Sequence, residues 1–345
     1  MRTQALVIGG GQAGLAMSYH LARLGVDHTV LDAGDRVGSA WRSRWDSLTL
    51  FTPGRYSALP GMDFPGDPDG YPSKDAVADY LEAYASRFGL PVRLGERVRS
   101  LRGAADRYVV ETEAGERHDA RQVVVATGPF QRPFTPAIAQ HLGPEVVQLH
   151  SSEYRGPAQI PPGSVLVVGG GNSGVQIAEE LSHTHRVHLS VGARMPRLPQ
   201  RVLGRSVFWW LERAGLLDVN VQSRLGRRMS RTDTLIGSSP AGLRRFGVEL
   251  RGRMAAASGG TAYFADGQTV QVQTVIWATG FRPDYPWLDI PVLNERGAPR
   301  QQRGVTDVPG FHFLGLPWMH TRGSALIGWV GRDAAHLADA VAGNR

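Results

Sequence analysis

The sequence predicts an α/β protein with two dinucleotide-binding, Rossmann-like domains, each carrying a β-meander insertion. Three observations support that expectation. Residues 3–14 read as strand, glycine turn and helix, with Gly9, Gly11 and Gly14 spaced G-x-G-x-x-G. The pattern returns at Gly169, Gly171 and Gly174, after the apolar run Val165-Leu166-Val167-Val168. Each turn is followed by a meander and an apolar strand ending in Ala-Thr-Gly, over 117 residues from Gly9 to Ala126 and 109 from Gly169 to Ala278. A repeat that preserves order and spacing signals a duplicated structural unit.

In the first unit, Ala5 to Ile8 read as a buried parallel strand, and Leu15, Ala16, Tyr19, Ala22 and Leu24 follow at roughly helical spacing. Gly9 permits the tight turn, Gly11 leaves room for a pyrophosphate, and Gly14 lets helix and strand pack closely; the helix N-terminus favours negative charge. A second strand, Val26 to Leu31, ends in Asp32, an acid suited to accept hydrogen bonds from ribose hydroxyls. Residues 3–33 therefore read as a βαβ site for NAD or FAD. Asp32 lies 23 residues after Gly9, and the same offset from Gly169 falls on Gly192, with Arg194 and Arg197 shortly after. An acid disfavours a ribose 2′-phosphate and an arginine favours it. The first site is expected to take FAD and the second NADPH rather than NADH.

Composition narrows the chemistry. The chain has 345 residues, 42% hydrophobic and 20% charged, enough for two medium domains. It has no cysteine, which excludes disulfide frameworks, thiolate metal sites, a cysteine nucleophile and the redox-active dithiol of a disulfide reductase. Net charge is +7 and, with Lys74 the only lysine, nearly all the positive charge is arginine. The arginines are spread along the chain without a nucleic-acid motif, so no nucleic-acid partner is expected. No apolar run approaches the roughly 20 residues of a membrane helix and no secretory leader precedes the glycine turn, so a cytoplasmic location is expected.

Between the motifs, Gly38 to Arg42 form a glycine turn followed by Trp41-Arg42, suited to lie along an extended cofactor. Residues 53–72 are proline-rich loop, and Ser73 is placed to cap a helix over Ala76 to Phe88. A meander is expected from Val92–Leu94, Val98–Leu101 and Tyr108–Thr112, then a parallel strand at Val123-Val124-Val125. Residues 129–162 are a proline-rich boundary region. No metal site is expected: Asp67 to Gly70 lacks a full ligand set, and His183, His185 and His188 straddle a helix end and a strand start without a carboxylate cluster. Residues 207–217 are rich in aromatic and leucine side chains, which suits helix packing or a substrate-access wall, with membrane-surface contact a less favoured reading. Near the C-terminus, Trp318 to Ser324 lead into an apolar helix running to Val341.

With these motifs in place, the chain resembles the class B flavoprotein monooxygenases, the flavin-containing monooxygenase-like group, in particular its short bacterial members and plant YUCCA-type enzymes. The resemblance covers nearly the whole chain. It implies a discontinuous FAD domain, residues 1–157 and 278–345, with an NADPH domain, residues 158–277, between its parts. It implies FAD contacts at Gly9, Gly11, Gln12, Ala13, Gly14, Asp32, Trp41, Arg42, Val98, Ala126 and Thr127. It further implies that Thr321, Ser324 and Leu326 line the flavin ring, and NADPH contacts at Gly169, Gly171, Asn172, Ser173, Gly174, Arg194 and Arg197. Phe51, Trp318 and His320 are candidates near the flavin, with no catalytic residue assigned. In the family signature F-x-G-x-x-x-H-x-x-x-(Y/F), His150 and Tyr154 fit, while Pro144 and Val146 stand at the Phe and Gly positions. Tyr154 in place of Trp points away from the Baeyer–Villiger branch. Phe51 stands where animal and yeast-type members have an Asn.

The activity so implied is an NADPH-dependent FAD monooxygenase that uses O2 and a C4a-hydroperoxyflavin to place one oxygen atom in a small organic substrate, an amine, sulfide or 2-oxo acid. Two alternatives stay open: an FAD-dependent NADPH oxidase or reductase that oxygenates nothing, and a non-catalytic nucleotide-binding redox sensor. A homodimer is compatible with the sequence.

Overall fold

The computed structural model describes residues 2–104, 107–192, 196–231 and 234–343. The first unit begins with strand β1 (Arg2–Ile8), helix α1 (Gln12–Arg23) and strand β2 (His28–Leu31). Helix α2 (Lys74–Arg87) follows the proline-rich loop, with the Ser73 hydroxyl accepting from the Ala76 N–H at 3.2 Å, as its position predicts. Then come β3 (Val92–Arg93), β4 (Val98–Ala104), β5 (Arg107–Thr112) and β6 (Arg117–Val125).

β6 does two jobs. Its first half pairs antiparallel with β5, Tyr108 opposite Ala120, and its second half pairs parallel with β1, Ile8 opposite Val125. The meander and the Rossmann sheet are thus one continuous sheet. The expected meander strand at Val92–Leu94 lies elsewhere: as β3 it pairs parallel with β2, Val30 opposite Val92. Its short apolar run is compatible with either sheet. Its partner is set by α2, which returns the chain to the edge of β2 after a helical crossover.

The second unit starts earlier than the boundary at residue 157. Strand β7 (Val147–His150) already belongs to the second sheet, where it joins β8 (Ser164–Val168), α3 (Asn172–Leu181) and β9 (Arg186–Ser190). Helix α4 (Val207–Arg213) precedes β10 (Glu249–Arg251). Strands β11 (Met254–Ser258), β12 (Thr261–Phe264) and β13 (Thr269–Gln271) form a separate antiparallel meander, and β14 (Thr274–Trp277) ends the unit. The order is β10-β9-β8-β14-β7, all parallel.

The chain then returns to the first sheet. Strand β15 (Phe311–Phe313) pairs parallel with β6, Phe313 opposite Val125, and helix α5 (Ile327–Gly343) closes the chain. The parallel part of the first sheet therefore runs β3-β2-β1-β6-β15, the same arrangement as the second. Each Rossmann sheet takes its fifth strand from outside its own fingerprint-to-Ala-Thr-Gly unit: from the C-terminal segment in the first, from the preceding segment in the second.

One face of the first sheet is covered by α1, α2 and α5, through buried Leu15, Met17, Leu21, Val77, Leu81, Tyr84, Val330 and Leu337. The other face packs Tyr108, Val110, Phe311 and Phe313. Burying each such leucine or valine contributes about 1.5–3 kcal/mol. As expected, the segment up to Ser324 leads into the C-terminal helix: Arg322–Ala325 form a 3-10 turn capped by Thr321, and α5 begins at Ile327.

Candidate active site

The first glycine turn sits at the C-terminal edge of β1, where α/β sheets bind ligands. Gly9 has φ +109° and donates its N–H to the Leu31 carbonyl at 2.7 Å. A Cβ there would lie 2.6 Å from the Ala126 carbonyl oxygen, so the first Ala-Thr-Gly packs directly on the turn. A Cβ on Gly14 would run into the Gly9 carbonyl oxygen, whereas at Gly11 no atom lies within 4 Å. Asp32 holds the turn from β2: its Oδ2 accepts from the Gly10 N–H at 2.6 Å and its Oδ1 from the Gly34 N–H at 2.8 Å. Trp41 donates its indole N–H to Gln12 Oε1 at 3.2 Å, fastening the Trp-Arg segment to the start of α1. Gly315, just past β15, meets Ala13, since a Cβ there would lie 2.6 Å from the Ala13 Cβ.

The second turn repeats this geometry. Gly169 has φ +125° and bonds to the Ser190 carbonyl at 3.0 Å. A Cβ at Gly174 would strike Gly169, while Gly171 again faces open space within 4 Å. Asn172 Oδ1 accepts from the Ile236 N–H at 3.1 Å. The connection to β9 is one residue shorter than its counterpart, so Val168 pairs with Ser190 while Ile8 pairs with Leu31. The residue opposite Gly170 is accordingly Val191, with its Cγ1 2.9 Å from a Cβ built on Gly170, just as Asp32 faces Gly10. The expected counterpart Gly192 lies one position further on. The lack of an acid holds in either register.

Both turns suit a nucleotide pyrophosphate. α1 and α3 start at glycine, without a side-chain cap or an acid in the first turn, whereas Ser73 and Ser206 cap α2 and α4. Two helix N-termini with free N–H groups and open space above a glycine are complementary to a phosphate anion.

Between the turns, α4 reaches from the second unit onto the first. Its Phe208 stacks on Phe51 at 6.1 Å between ring centroids and 13° between planes, and lies 5.8 Å from Trp329 of α5. Tyr56 stacks on Trp329 at 5.7 Å and 11°. Leu326 packs against the same cluster. The four rings form a packed apolar cluster beside the Thr321–Leu326 turn. In that turn the Ser324 hydroxyl accepts from the N–H groups of His320 at 3.1 Å and Thr321 at 3.0 Å, and Thr321 Oγ1 accepts from Gly323 at 3.2 Å. The hydroxyls of Thr321 and Ser324 thus shape the turn.

The profile of the pyridine nucleotide-disulphide oxidoreductase family matches residues 6–198, more than half of the chain. The chain belongs to that family. Among curated relatives, a CzcO-like oxidoreductase of Geobacillus kaustophilus is 50% identical over 96% of both chains. The indole-3-pyruvate monooxygenase YUCCA1 of rice is 31% identical over 88% of this chain and 82% of its own. Among solved structures, the flavin-containing monooxygenase of Stenotrophomonas maltophilia superposes with a TM-score of 0.83, at 30% identity over 99% of this chain and 98% of its own. The protein is a flavin-dependent oxidoreductase with the fold of the flavin monooxygenases, and FAD and NADPH agree with that membership. As a cysteine-free member of this oxidoreductase family, it has no thiol pair for disulfide chemistry.

The structure brings Gly9, Gly11, Gln12, Ala13, Gly14, Asp32, Trp41, Ala126 and Thr127 to the first turn or the elements bounding it. Val98 is half-buried at the start of β4, two residues beyond Glu96, whose N–H donates to the Asp32 carbonyl at 2.8 Å. Arg42 turns away: its guanidinium pairs with Asp79 at 2.8 Å and Glu82 at 2.9 Å on α2. Gly169, Gly171, Asn172, Ser173 and Gly174 form the second turn. Arg197 is exposed on a short strand beside Leu235, and Arg194 lies outside the described residues.

Phe51 joins the aromatic cluster. His320 instead lines a polar cavity of about 630 Å³ with Asn220, Gln222, Arg303 and His336; burial, then Arg303, holds its pKa below the ordinary value. Trp318 is half-buried with φ +55°. His150 is a buried linker residue, its Nε2 3.1 Å from the Gly280 carbonyl oxygen and its Nδ1 2.8 Å from Ser152 Oγ. Burial, then the nearby Arg44, lowers its pKa against a partial upward pull from Gly280 and Glu153. Tyr154 is fully buried and donates to Glu180 Oε2 at 2.8 Å.

Sequence reasoning singled out the stretch that holds Phe208 as helix packing or an access wall but missed its partners Tyr56 and Trp329, since the three meet only after distant segments fold together. It also missed Arg253. The Val191 N–H donates to the Arg251 carbonyl at 3.1 Å, which puts the continuation of β10 beside the second turn; a Cβ on Gly192 would lie 3.8 Å from Arg253 Cγ. The duplicated sheet order was the available signal, because β10 stands beside β9 as β3 stands beside β2.

Proposed function

We propose that this protein is an NADPH-dependent FAD monooxygenase that transfers one atom of O2 to a small organic substrate. FAD held at the first turn supplies hydride acceptance and the reaction with oxygen. The chain's own residues bind, orient and keep water out. Gly11 and the free N–H groups of α1 take the FAD pyrophosphate, and Asp32 keeps their turn in shape. Gly171 and the start of α3 take the NADPH pyrophosphate. At the ribose, Val191 replaces the acid that would repel a 2′-phosphate, and the exposed Arg253 supplies positive charge beside Gly192. The reading rests above all on the packed aromatic cluster of Phe51, Tyr56, Phe208 and Trp329, which walls the Thr321–Leu326 turn with apolar surface. An apolar, water-excluding wall favours transfer of oxygen over its loss as peroxide.

The test is a balance sheet of electrons. The FAD-loaded protein is supplied with NADPH and 18O2 in the presence of a panel of sulfides, amines and 2-oxo acids. Product carrying one 18O per NADPH consumed, with little hydrogen peroxide, supports the reading. Peroxide equal to NADPH consumed across the panel favours the oxidase alternative, which Phe51 supports by standing where oxygenating animal and yeast-type members have Asn. No anaerobic reduction of the flavin by NADPH refutes both.

A further inference from the structure

The second unit carries a feature that binding two nucleotides does not use. Residues 201–206 form a tight hairpin, Arg201–Val202 against Arg205–Ser206, with Leu203 at its tip. Leu203 is 86% exposed and is held at φ +48°, a conformation that costs a branched side chain energy. The hairpin is braced against α4, since the indole N–H of Trp210 donates to the Val202 carbonyl at 3.1 Å while its ring stays 39% exposed. On the same helix, Trp209 lies beneath two guanidinium groups, Arg205 at 4.4 Å and Arg213 at 5.1 Å from its ring centroid. The result is an apolar tip with a collar of ordered arginines.

The hairpin lies in a strongly basic stretch of the chain. Residues 197–253 contain 12 arginines and 4 acidic residues, a net +8. The whole chain is +7, so everything outside this stretch sums to −1.

We propose that the tip at residues 201–213 docks on an anionic lipid surface, with Leu203 and Trp210 entering the headgroup region and Arg201, Arg205 and Arg213 meeting lipid phosphates. Indole rings favour the membrane interface, and arginine stems lie along apolar surface while their heads reach phosphate. Juxtaposed basic residues add attraction to anionic lipid. A duplex nucleic acid would satisfy the arginines but leave an exposed leucine facing phosphate. A second copy would cover the leucine but set two faces of the same positive charge against each other.

The test uses the full FAD-loaded chain and vesicles of phosphatidylcholine with or without phosphatidylglycerol. Flotation with the phosphatidylglycerol vesicles, weakened by added salt, is expected; absent flotation, or equal flotation with pure phosphatidylcholine, overturns the proposal. The double variant Leu203→Asp with Trp210→Ser should bind about tenfold more weakly while oxidising NADPH at the wild-type rate. Unchanged binding by that variant also overturns it. Because the natural chain has no cysteine, Leu203→Cys takes a single environment-sensitive fluorophore. Its emission should shift to the blue on anionic vesicles. A shift produced instead by raising protein concentration, or by duplex DNA, assigns the tip to a second copy or a nucleic acid and refutes the lipid assignment.

Discussion

Adding a single methyl group at Gly11 or Gly171 should separate the two nucleotide sites. Both glycines have extended backbones, φ −77° and ψ −170° at Gly11, φ −73° and ψ 176° at Gly171, which alanine adopts without strain. Both face open space, with no protein atom within 4 Å of the new Cβ. Alanine is a poorer helix N-cap than glycine but lowers the entropy of the unfolded chain; the two effects oppose each other and leave stability within about 1 kcal/mol. The methyl instead occupies the space through which a pyrophosphate approaches the helix N-terminus. Losing one or two hydrogen bonds to the charged phosphates costs about 1.5–3 kcal/mol each, or one to several orders of magnitude in Kd.

Gly11→Ala should therefore purify folded but depleted of FAD, and Gly171→Ala should keep its FAD and show a raised KM for NADPH. Flavin absorbance per chain, the melting temperature of the apoproteins and NADPH titrations read all three quantities. Gly14→Ala is the contrast. Its methyl would drive into the Gly9 carbonyl, the helix must retreat from the turn, and stability should fall by about 1–3 kcal/mol or more. A Gly11→Ala protein with wild-type FAD affinity, or a Gly171→Ala protein that loses FAD and not NADPH, would refute the assignment of the two turns.

Arg253→Ala should raise the KM for NADPH about tenfold or more and leave that for NADH unchanged; equal changes for both would place the arginine away from the 2′-phosphate. Asp32→Ala leaves the N–H groups of Gly10 and Gly34 without their carboxylate and should reduce FAD retention and lower the melting temperature of the apoprotein. An apoprotein melt matching wild type would show that the carboxylate does not hold the turn. Phe51→Ala leaves a gap in the aromatic cluster and should raise the fraction of NADPH electrons recovered as hydrogen peroxide; an unchanged peroxide fraction would remove the cluster from the argument. His312 gives a pH prediction. It is buried on β15, and burial, assisted by His336, pushes its pKa down to about 4 from 6.5. Between those values the unfolded chain binds a proton that the native chain excludes. This residue's contribution to stability should therefore fall by up to about 3 kcal/mol as pH drops from 6.5 to 4. His312→Gln should flatten that slope relative to wild type in denaturant titrations, and parallel slopes would contradict it.

How much of this was legible in the sequence depended on whether the signal was local. The glycine turns, the Ser73 cap and the two Ala-Thr-Gly strands are written in consecutive residues, because each rests on backbone conformation or one face of one element. Strand partners are not local. Val92–Arg93 and Val147–His150 look like generic short strands, and only the crossovers on either side decide that one joins the first parallel sheet and the other the second. Arg42 shows the same limit from the other direction. Its motif position suggests a cofactor contact, yet Asp79 and Glu82, a helix and a proline-rich loop away, hold its guanidinium.

The duplication could have carried the reading further than it did. A repeat gives more than a second copy of a motif, because it predicts spatial neighbours. If β3 continues beside the first turn, then the continuation of β10 must stand beside the second. The Arg93 carbonyl accepts from the Asp32 N–H as the Arg251 carbonyl accepts from that of Val191, at 2.9 and 3.1 Å. Two residues further, the first unit has Gly95 and the second Arg253. The first unit thus pairs an acid with a glycine beside its turn, and the second pairs an aliphatic residue with an arginine. One substitution removes a repulsion and the other adds an attraction. Together, at equivalent positions of one duplicated scaffold, they reverse the charge beside the turn, and on the proposed assignment a ribose 2′-phosphate is the group that would register the difference.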